Sequence, residues 1–290
     1  MTEMVKAYAK INLHLDIKGI REDGYHDVEN VMQSVSLCDI VTVSHREDGV
    51  FSCECNVEGV PTDEKNIAVR AAMLFCKAVG SDRGVHVKIE KNIPMAAGLA
   101  GGSTDAAAVL EALNKAYGNK LSRGELYALG AQLGADVPFC IEGGCAYSDG
   151  KGDVLHRFSP IPRDTVFVVA CGGEGVSTPW AYRLMDSVYR NFADYAPKGT
   201  EALEAALKGE KPREFYKHIF NIFEEPVLNE RPVAAQIKSI MLDSGAKASM
   251  MSGSGPSVFG IFESTQSAKK AEESIKALGY FAAVCFPVKK

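Results

Sequence analysis

The chain is 290 residues long, 46% hydrophobic and 24% charged, which fits one large or two ordinary domains of a soluble globular protein. Its formal net charge of −5 argues against a nucleic-acid-binding surface, which calls for a basic domain. A polyanionic ligand would therefore have to meet positive charge concentrated at one place.

In chain order, Ala9 to Ile17 alternates strictly and predicts a strand. Ile11, Leu13, Leu15 and Ile17 form its core face; Lys10, Asn12, His14 and Asp16 form the other, either a solvated face or one wall of a site. Arg21-Glu22-Asp23-Gly24 reads as a hairpin-like turn, and Tyr25-His26 opens a second extended segment. Strand-like runs follow at Asp39 to His45 and Val50 to Val57. Asn66 to Val79 has helical spacing, and Val85-His86-Val87-Lys88-Ile89 reads as a strand. After a glycine-rich turn, apolar residues from Gly102 to Tyr117 predict an amphipathic helix. Another helix runs from about Ser122 to Leu133, with Ser122 as N-cap, Glu125 at the capping-box position and Gly134 as its stop. Ala135-Asp136-Val137-Pro138 reads as a short exit in which Pro138 holds Val137 extended, and glycines at 143–144 and 150–152 bracket a hairpin.

Ser159-Pro160-Ile161-Pro162 marks a change of texture, which predicts domains over 1–158 and 159–290. Beyond it come a strand (Thr165 to Ala170), helices at about Ser177 to Val188, Thr200 to Lys208, Phe215 to Phe220 and Pro232 to Ser244, strands at Lys247 to Met251 and Ser257 to Phe262, a helix from Ser267 to Leu278 and a strand from Ala282 to Phe286. That order is the one of a ferredoxin-like α+β sandwich. The eight cysteines form no Cys-x-x-Cys pair, and several lie in apolar runs, which predicts buried free thiols and a reducing cytoplasmic setting. Met1-Thr2-Glu3-Met4-Val5-Lys6 opens no signal-peptide block, and no apolar run approaches membrane-spanning length, so no membrane partner is expected. Both a monomer and a homodimer are compatible with the sequence.

The stretch most suggestive of chemistry is Pro94-Met95-Ala96-Ala97-Gly98-Leu99-Ala100-Gly101-Gly102-Ser103-Thr104-Asp105, between a strand and a helix. Glycines let the backbone present several N–H donors, and the helix N-terminus adds unpaired N–H groups and a positive dipole end, so the stretch is suited to phosphate. The plain alternative is a tight turn capped by Ser103 or Thr104. It is no Walker loop, because no lysine occurs between Pro94 and Leu113. Nor is it a dinucleotide fingerprint, because the region roughly 20 residues on reads as a helix start where that motif has a strand ending in an acid.

This loop resembles the ATP loop of the GHMP kinases, and Met251-Ser252-Gly253-Ser254-Gly255-Pro256-Ser257-Val258-Phe259 is similar to that family's C-terminal glycine motif. Ala9-Lys10-Ile11-Asn12-Leu13, Arg21-Glu22-Asp23-Gly24-Tyr25-His26 and Gly134-Ala135-Asp136-Val137-Pro138 resemble, more narrowly, the branch that acts on a cytidylyl-methylerythritol substrate. The resemblance implies an α+β fold of two domains, the first like the second domain of ribosomal protein S5 and the second ferredoxin-like. It implies ATP with Mg2+, and transfer of the γ-phosphoryl group to the 2-hydroxyl of the methylerythritol moiety. Residues Pro94 to Thr104 (Pro94, Met95, Ala96, Ala97, Gly98, Leu99, Ala100, Gly101, Gly102, Ser103 and Thr104) would hold the ATP phosphates. Asp136 would accept the hydroxyl proton, unless it is a turn aspartate, and Lys10 would neutralise developing charge. Asn12 would hydrogen-bond substrate. Tyr25 would stack on cytosine, His26 would bond the base edge, and Tyr182 would supply the opposing aromatic, with Trp180 as the competing choice. Ser103, Asp105 and Asp136 are all candidate magnesium partners. Ala96, Ala97 and Ala100 stand where glycines are frequent; since alanine disfavours positive φ by roughly 1 kcal/mol, they are expected at helical or extended angles, or else with a looser phosphate grip. Two other readings are a GHMP kinase for a different alcohol, such as mevalonate or homoserine, and a nucleotide-binding sensor without catalysis.

Overall fold

A computed structural model describes residues 2–152 and 154–289, the side chain of Asn191 excepted. In chain order its elements are β1 (Thr2–Ile20), β2 (His26–Arg46), β3 (Phe51–Cys55), α1 (Ile67–Val79), β4 (Gly84–Glu90), α2 (Gly101–Ala116), α3 (Arg123–Leu133) and α4 (Val137–Glu142). There follow β5 (Cys145–Asp149), β6 (Val154–Arg157), β7 (Val166–Cys171), α5 (Thr178–Val188), α6 (Glu201–Lys208), β8 (Phe220–Asn221), α7 (Glu224–Glu230), α8 (Pro232–Asp243), β9 (Ala248–Met251), β10 (Val258–Phe262), α9 (Thr265–Lys276) and β11 (Phe281–Cys285). The chain forms two compact units. One comprises the N-terminal segment as far as Ala9, Cys38–Ile93 and Ala100–Glu142; the other comprises Lys10–Leu37, Pro94–Leu99 and everything from Gly143 on.

In the first unit β4 pairs antiparallel with Ile40–Arg46 of β2 and parallel with β3. Helix α1 is capped by the Asn66 side chain, which accepts from the Ala68 N–H, and α3 has the predicted capping box of Ser122 and Glu125. Helix α2 packs against α1, α3 and α4. Its buried residues run without a break from Thr104 to Leu110, so it is buried on all sides there, where a two-faced helix was expected. The run Ala106-Ala107-Ala108 permits this, because small side chains let three neighbours approach. Helix α4 corrects the reading of Val137 as extended. Pro138 is the second residue of α4, and in the first turn its missing N–H costs nothing because that donor would be unpaired anyway.

In the second unit β7, β9, β10 and β11 form an antiparallel sheet in the order β11-β7-β10-β9. Val166, Val168 and Ala170 of β7 share a core with Ile237 and Met241 of α8 and Ala268, Ala271 and Ile275 of α9. This is the expected sandwich. A second core joins Leu15, Ile17 and Val28 to Ala181 and Met185 of α5 and to Phe223 and Val227. Strand β5 pairs with Asn30–Gln33 of β2, β6 folds back on β5 around Gly150, and β8 runs parallel to β1 at His14 and Leu15. The stretch read as a helix over Phe215 to Phe220 is a 3₁₀ segment, Pro212–His218, followed by β8. Among the described residues the eight cysteines form no disulfide with one another. Among the described residues, no helix is long and apolar enough to cross a membrane.

Candidate active site

The alternation of β1 continues into a second buried face. Its core face is buried as predicted, but Lys10, Asn12, His14 and Asp16 are only 4%, 2%, 1% and 0% exposed, which overturns a solvated face. Buried polar groups need partners. The Lys10 ammonium donates to Asn12 Oδ1 at 2.7 Å, and Asn12 Nδ2 donates to Asn30 Oδ1 at 2.8 Å. The Ser252 hydroxyl accepts from the Asn12 backbone N–H and lies 3.2 Å from Asn12 Oδ1. Among the described residues no carboxylate pairs with Lys10, so its charge rests on a neutral amide. Asp16 accepts from the Tyr195 hydroxyl and the Lys198 N–H, each at 2.7 Å. Among the described residues neither ring nitrogen of His14 has a hydrogen-bond partner, and burial pushes its pKa down to about 4.

Two glycine loops meet at this lysine. The Lys10 N–H donates to the Leu99 carbonyl and the Ser257 N–H to the Ala97 carbonyl, pinning the stretch Pro94–Leu99 at two points. Gly98 has φ +74°, and a Cβ there would run into the Ser252 carbonyl. Reciprocally, a Cβ on Gly253 would lie 3.2 Å from the Gly98 carbonyl and 3.4 Å from Lys10 Nζ. Both motifs need glycine because each is the other's wall. Asn221 on β8 holds the second loop by donating to the carbonyls of Met251 and Gly253 at 2.7 and 2.8 Å.

The expectation for the alanines is corrected at two positions. Ala96 and Ala100 have φ of 50° and 57°, in the left-handed region, each at a cost of about 1 kcal/mol. The carbonyls of Ala97 and Leu99 are pinned by Ser257 and Lys10, and Ala96 and Ala100, one residue outside that stretch on either side, turn the chain into and out of it. Met95 and Ala96 are exposed, Pro94, Gly98 and Ala100 half-buried, and Ala97 and Leu99 buried. Ala100 caps α2 without a side-chain bond, so neither Ser103 nor Thr104 serves as the cap. The Thr104 hydroxyl donates to the Tyr8 carbonyl at 2.8 Å and is buried there. Gly101, Gly102 and Ser103 form the first turn of α2, which holds no acidic residue and leaves its N–H groups and dipole free for an anion.

Within the first unit, Ser103 lies next to the turn that carries Asp136: its hydroxyl oxygen is 4.0 Å from where a Cβ on Gly134 would sit. Asp136 is half-buried immediately before α4, and its carbonyl accepts from the Cys140 N–H.

The predicted aromatics divide. His26 lies on Tyr182, with ring centroids 4.6 Å apart and an interplanar angle of 36°. Its Nε2 donates to Asp186 Oδ1 at 2.7 Å, which leaves Nδ1 to present a lone pair. Asp186 was not foreseen, although it follows Tyr182 by one turn of α5 and so shares its face. Tyr25 is 61% exposed, with the Lys151 ammonium 4.0 Å from its ring centroid. Trp180 stacks under the Arg231 guanidinium, so it is Tyr182 that meets His26.

Comparison with known proteins shows the family. Residues 66–144 match the family model described as "GHMP kinases N terminal domain", and residues 202–280 match "GHMP kinases C terminal". The chain is 41% identical over 273 residues to the 4-diphosphocytidyl-2-C-methyl-D-erythritol kinase of Caldicellulosiruptor saccharolyticus, covering 94% of this chain and 92% of that one. It is 42% identical over 273 residues to the enzyme of the same name from Clostridium botulinum, covering 94% and 95%. A crystal structure of 4-(cytidine 5'-diphospho)-2C-methyl-D-erythritol kinase superposes with a TM-score of 0.79 at 33% identity, covering 98% of this chain and 99% of that one. The chain belongs to the GHMP kinases, in the family of these 4-diphosphocytidyl-2-C-methyl-D-erythritol kinases.

Proposed function

We propose that this chain transfers the γ-phosphoryl group of ATP to the 2-hydroxyl of 4-diphosphocytidyl-2-C-methyl-D-erythritol, a step in non-mevalonate isoprenoid precursor biosynthesis. The observation that most supports this substrate is the ring of His26, packed on Tyr182 and fixed by Asp186. An acceptor at Nδ1 suits the exocyclic amino group of cytosine, and small acids or sugars need no such base-reading pocket.

Phosphoryl transfer is mostly positioning and charge neutralisation. The backbone of Pro94–Gly102 cradles the ATP phosphates, with the Ser103 hydroxyl beside it; the Thr104 N–H and hydroxyl are already engaged by the Ala100 and Tyr8 carbonyls, so Thr104 closes the first turn of α2 and is left out of that set. Asp136 takes the proton of the attacking hydroxyl. Lys10 offsets the charge that develops on the transferring group, and a lysine lying on neutral Asn12 has its whole charge to give. Asn12 orients Lys10 and has one Nδ2 hydrogen left for substrate. Tyr25 and Tyr182 flank the base. Ser103 and Asp136 are the side chains that would hold a magnesium ion carried in by the nucleotide, since a hard cation takes oxygen ligands. When bound, it would shield the phosphate charges. Asp105 is already engaged by Lys91 and is left out of that set.

The division into an ATP-binding part, 1–158, and a C-terminal part, 159–290, is proposed alongside. The two family matches, 66–144 and 202–280, leave the proline-rich segment at 159–162 between them. Eight cysteines with no disulfide among them support a cytoplasmic setting.

An ATP-consumption assay tests this reading: turnover is expected with the cytidylyl substrate and not with homoserine, mevalonate or galactose. Equal rates on any of those would sink it. Asp136→Asn is expected to lower kcat by about 10²-fold or more with ATP binding retained; unchanged turnover would remove Asp136 as the base.

A further inference from the structure

At the foot of the ATP loop lies a buried cluster to which nothing in the proposed reaction assigns a role. Lys91, just past β4, places its ammonium 2.5 Å from Asp39 Oδ2 and 2.8 Å from Asp105 Oδ2. The side chains of Lys91, Asp39 and Asp105 are 6%, 0% and 5% exposed. Asp39, on β2, uses its other oxygen to accept the backbone N–H groups of Asn92 and Ile93, at 2.5 and 2.8 Å. Asp105 lies one turn into α2. The three side chains thus tie the residues that lead into the loop, 91–93, to the helix that leads out of it.

Gly101 records the same closeness. A Cβ on it would lie 3.1 Å from Lys91 Nζ and 3.2 Å from Ile93 Cγ2. The two ends of the loop are therefore held together by a charged staple rather than by apolar packing alone. Lys91 is the lysine nearest the loop in sequence and would be the natural choice as a phosphate ligand. Its ammonium is instead engaged by two carboxylates, one of which also fixes the backbone. Asp105 Oδ1 has no partner among the described residues. A cluster that tolerates an unpartnered buried carboxylate oxygen has a geometric task beyond pairing charges.

We propose that Asp39, Lys91 and Asp105 are positioning residues for the ATP loop, fixing the separation of its two ends so that its amides keep one anion-binding arrangement in the absence of nucleotide. A loop closed in advance loses less freedom when ATP binds, and the effect appears in nucleotide affinity. The proposal rests on the reading of Pro94–Thr104 as the ATP site.

The informative variant is Asp105→Ala in the full chain. It removes the link to α2 but leaves Lys91 and Asp39 as a balanced pair, so folding should survive. The expected result is a rise of about tenfold in the KM for ATP and in the Kd for ADP, with kcat and the KM for the cytidylyl substrate within about twofold of wild type. Asp105→Asn, whose side-chain oxygen can still accept from Lys91, should restore the ATP KM to within about threefold. A folded Asp105→Ala protein with wild-type ATP KM overturns the proposal, as does a fall in kcat with both KM values unchanged, the mark of lost active protein. If Asp105→Ala does not fold, the double variant K91M/D105N cuts the same link with side-chain volumes kept, and the same rise in ATP KM is required of it. Hydrogen exchange on the wild type separates the two layers. ATP should protect amides 96–103; if it protects others, the loop assignment fails and the staple with it. If it protects these while the variants bind nucleotide normally, the staple alone fails.

Discussion

Two lysines among the described residues are buried, and they are held in opposite ways. Lys10, 4% exposed, rests on the neutral side-chain oxygen of Asn12, which Asn30 and Ser252 hold in turn. Lys91, 9% exposed, lies between the carboxylates of Asp39 and Asp105. Burial would lower the pKa of Lys91, but the two carboxylates outweigh it and hold the ammonium above its ordinary range. The difference lies in what each charge is available for. An ammonium on an amide keeps its field for an incoming anion, whereas an ammonium between two carboxylates has no net charge to offer and can only organise its surroundings. On the proposed reading, what sets the catalytic lysine apart is not its charge but the neutrality of its neighbours.

Replacing each lysine by methionine should break the comparison in complementary ways. Lys10→Met is expected to lower kcat by about 10³-fold, or about 4 kcal/mol of transition-state stabilisation. Its stability cost should be only about 1 kcal/mol, because Asn12 retains Ser252 and Asn30. Lys91→Met strands two buried carboxylates and is expected to cost about 3–5 kcal/mol of stability. Urea unfolding and steady-state kinetics on the two proteins decide the matter. A severe stability loss in Lys10→Met, or a stable Lys91→Met, would mean that the two environments have been misassigned.

The sequence discloses these lysines unequally. Strict alternation places Lys10 with Asn12 and His14 on one side of β1, and the resemblance to the GHMP kinases gives Lys10 its role. Periodicity says which residues share a face but not what covers that face. The cover on this face comes from Ser252, which accepts from the Asn12 N–H from 240 residues along the chain. Asp39 and Asp105, which are 52 and 14 residues from Lys91, lie on elements of different type, and no local pattern joins them. Helix α4 was missed because the rule that proline extends its predecessor yields to proline's tolerance of a first helical turn. The left-handed Ala96 and Ala100 went unforeseen for a related reason: intrinsic preference is worth about 1 kcal/mol, and the bonds that pin Ala97 and Leu99 together exceed it. Asp186 was within reach, because Tyr182 had been singled out and one helical turn onward stands a carboxylate.

Asp186 sharpens the comparison from another direction, since here a carboxylate engages the ring proposed to read the substrate base. Its bond to Nε2 fixes which nitrogen of His26 carries the proton. Asp186→Ala is expected to raise the KM for the cytidylyl substrate about tenfold while leaving the KM for ATP unchanged. Asp186→Asn, able to accept the same hydrogen through its amide oxygen, should recover most of that loss. A rise confined to ATP would detach the histidine from base recognition.

The smallest effects expected are slopes of stability against pH, and they test whether buried charge and buried neutrality coexist as described. Burial, reinforced by Asp39 and opposed by Lys91, raises the pKa of Asp105 from 3.8 to about 7. The folded state therefore holds a proton that the unfolded state has released, and this contribution to stability is lost as pH rises from about 4 to 7. His14 behaves in the opposite sense. Burial lowers its pKa from 6.5 to about 4, so the fold favours the neutral ring and its contribution is lost as pH falls from 6.5 towards 4. In the wild type the two slopes oppose each other over that interval, and neither can exceed about 1.4 kcal/mol per pH unit. Single substitutions separate them. Relative to wild type, Asp105→Asn should gain stability steadily from pH 4 to 7, whereas the advantage of His14→Phe should be greatest at pH 4 and shrink by pH 6.5. Urea unfolding at half-unit steps of pH provides the measurement. Parallel profiles for Asp105→Asn and wild type would show that Asp105 is already ionised in the fold at acid pH, and the staple would then carry a full second negative charge that Lys91 alone must balance.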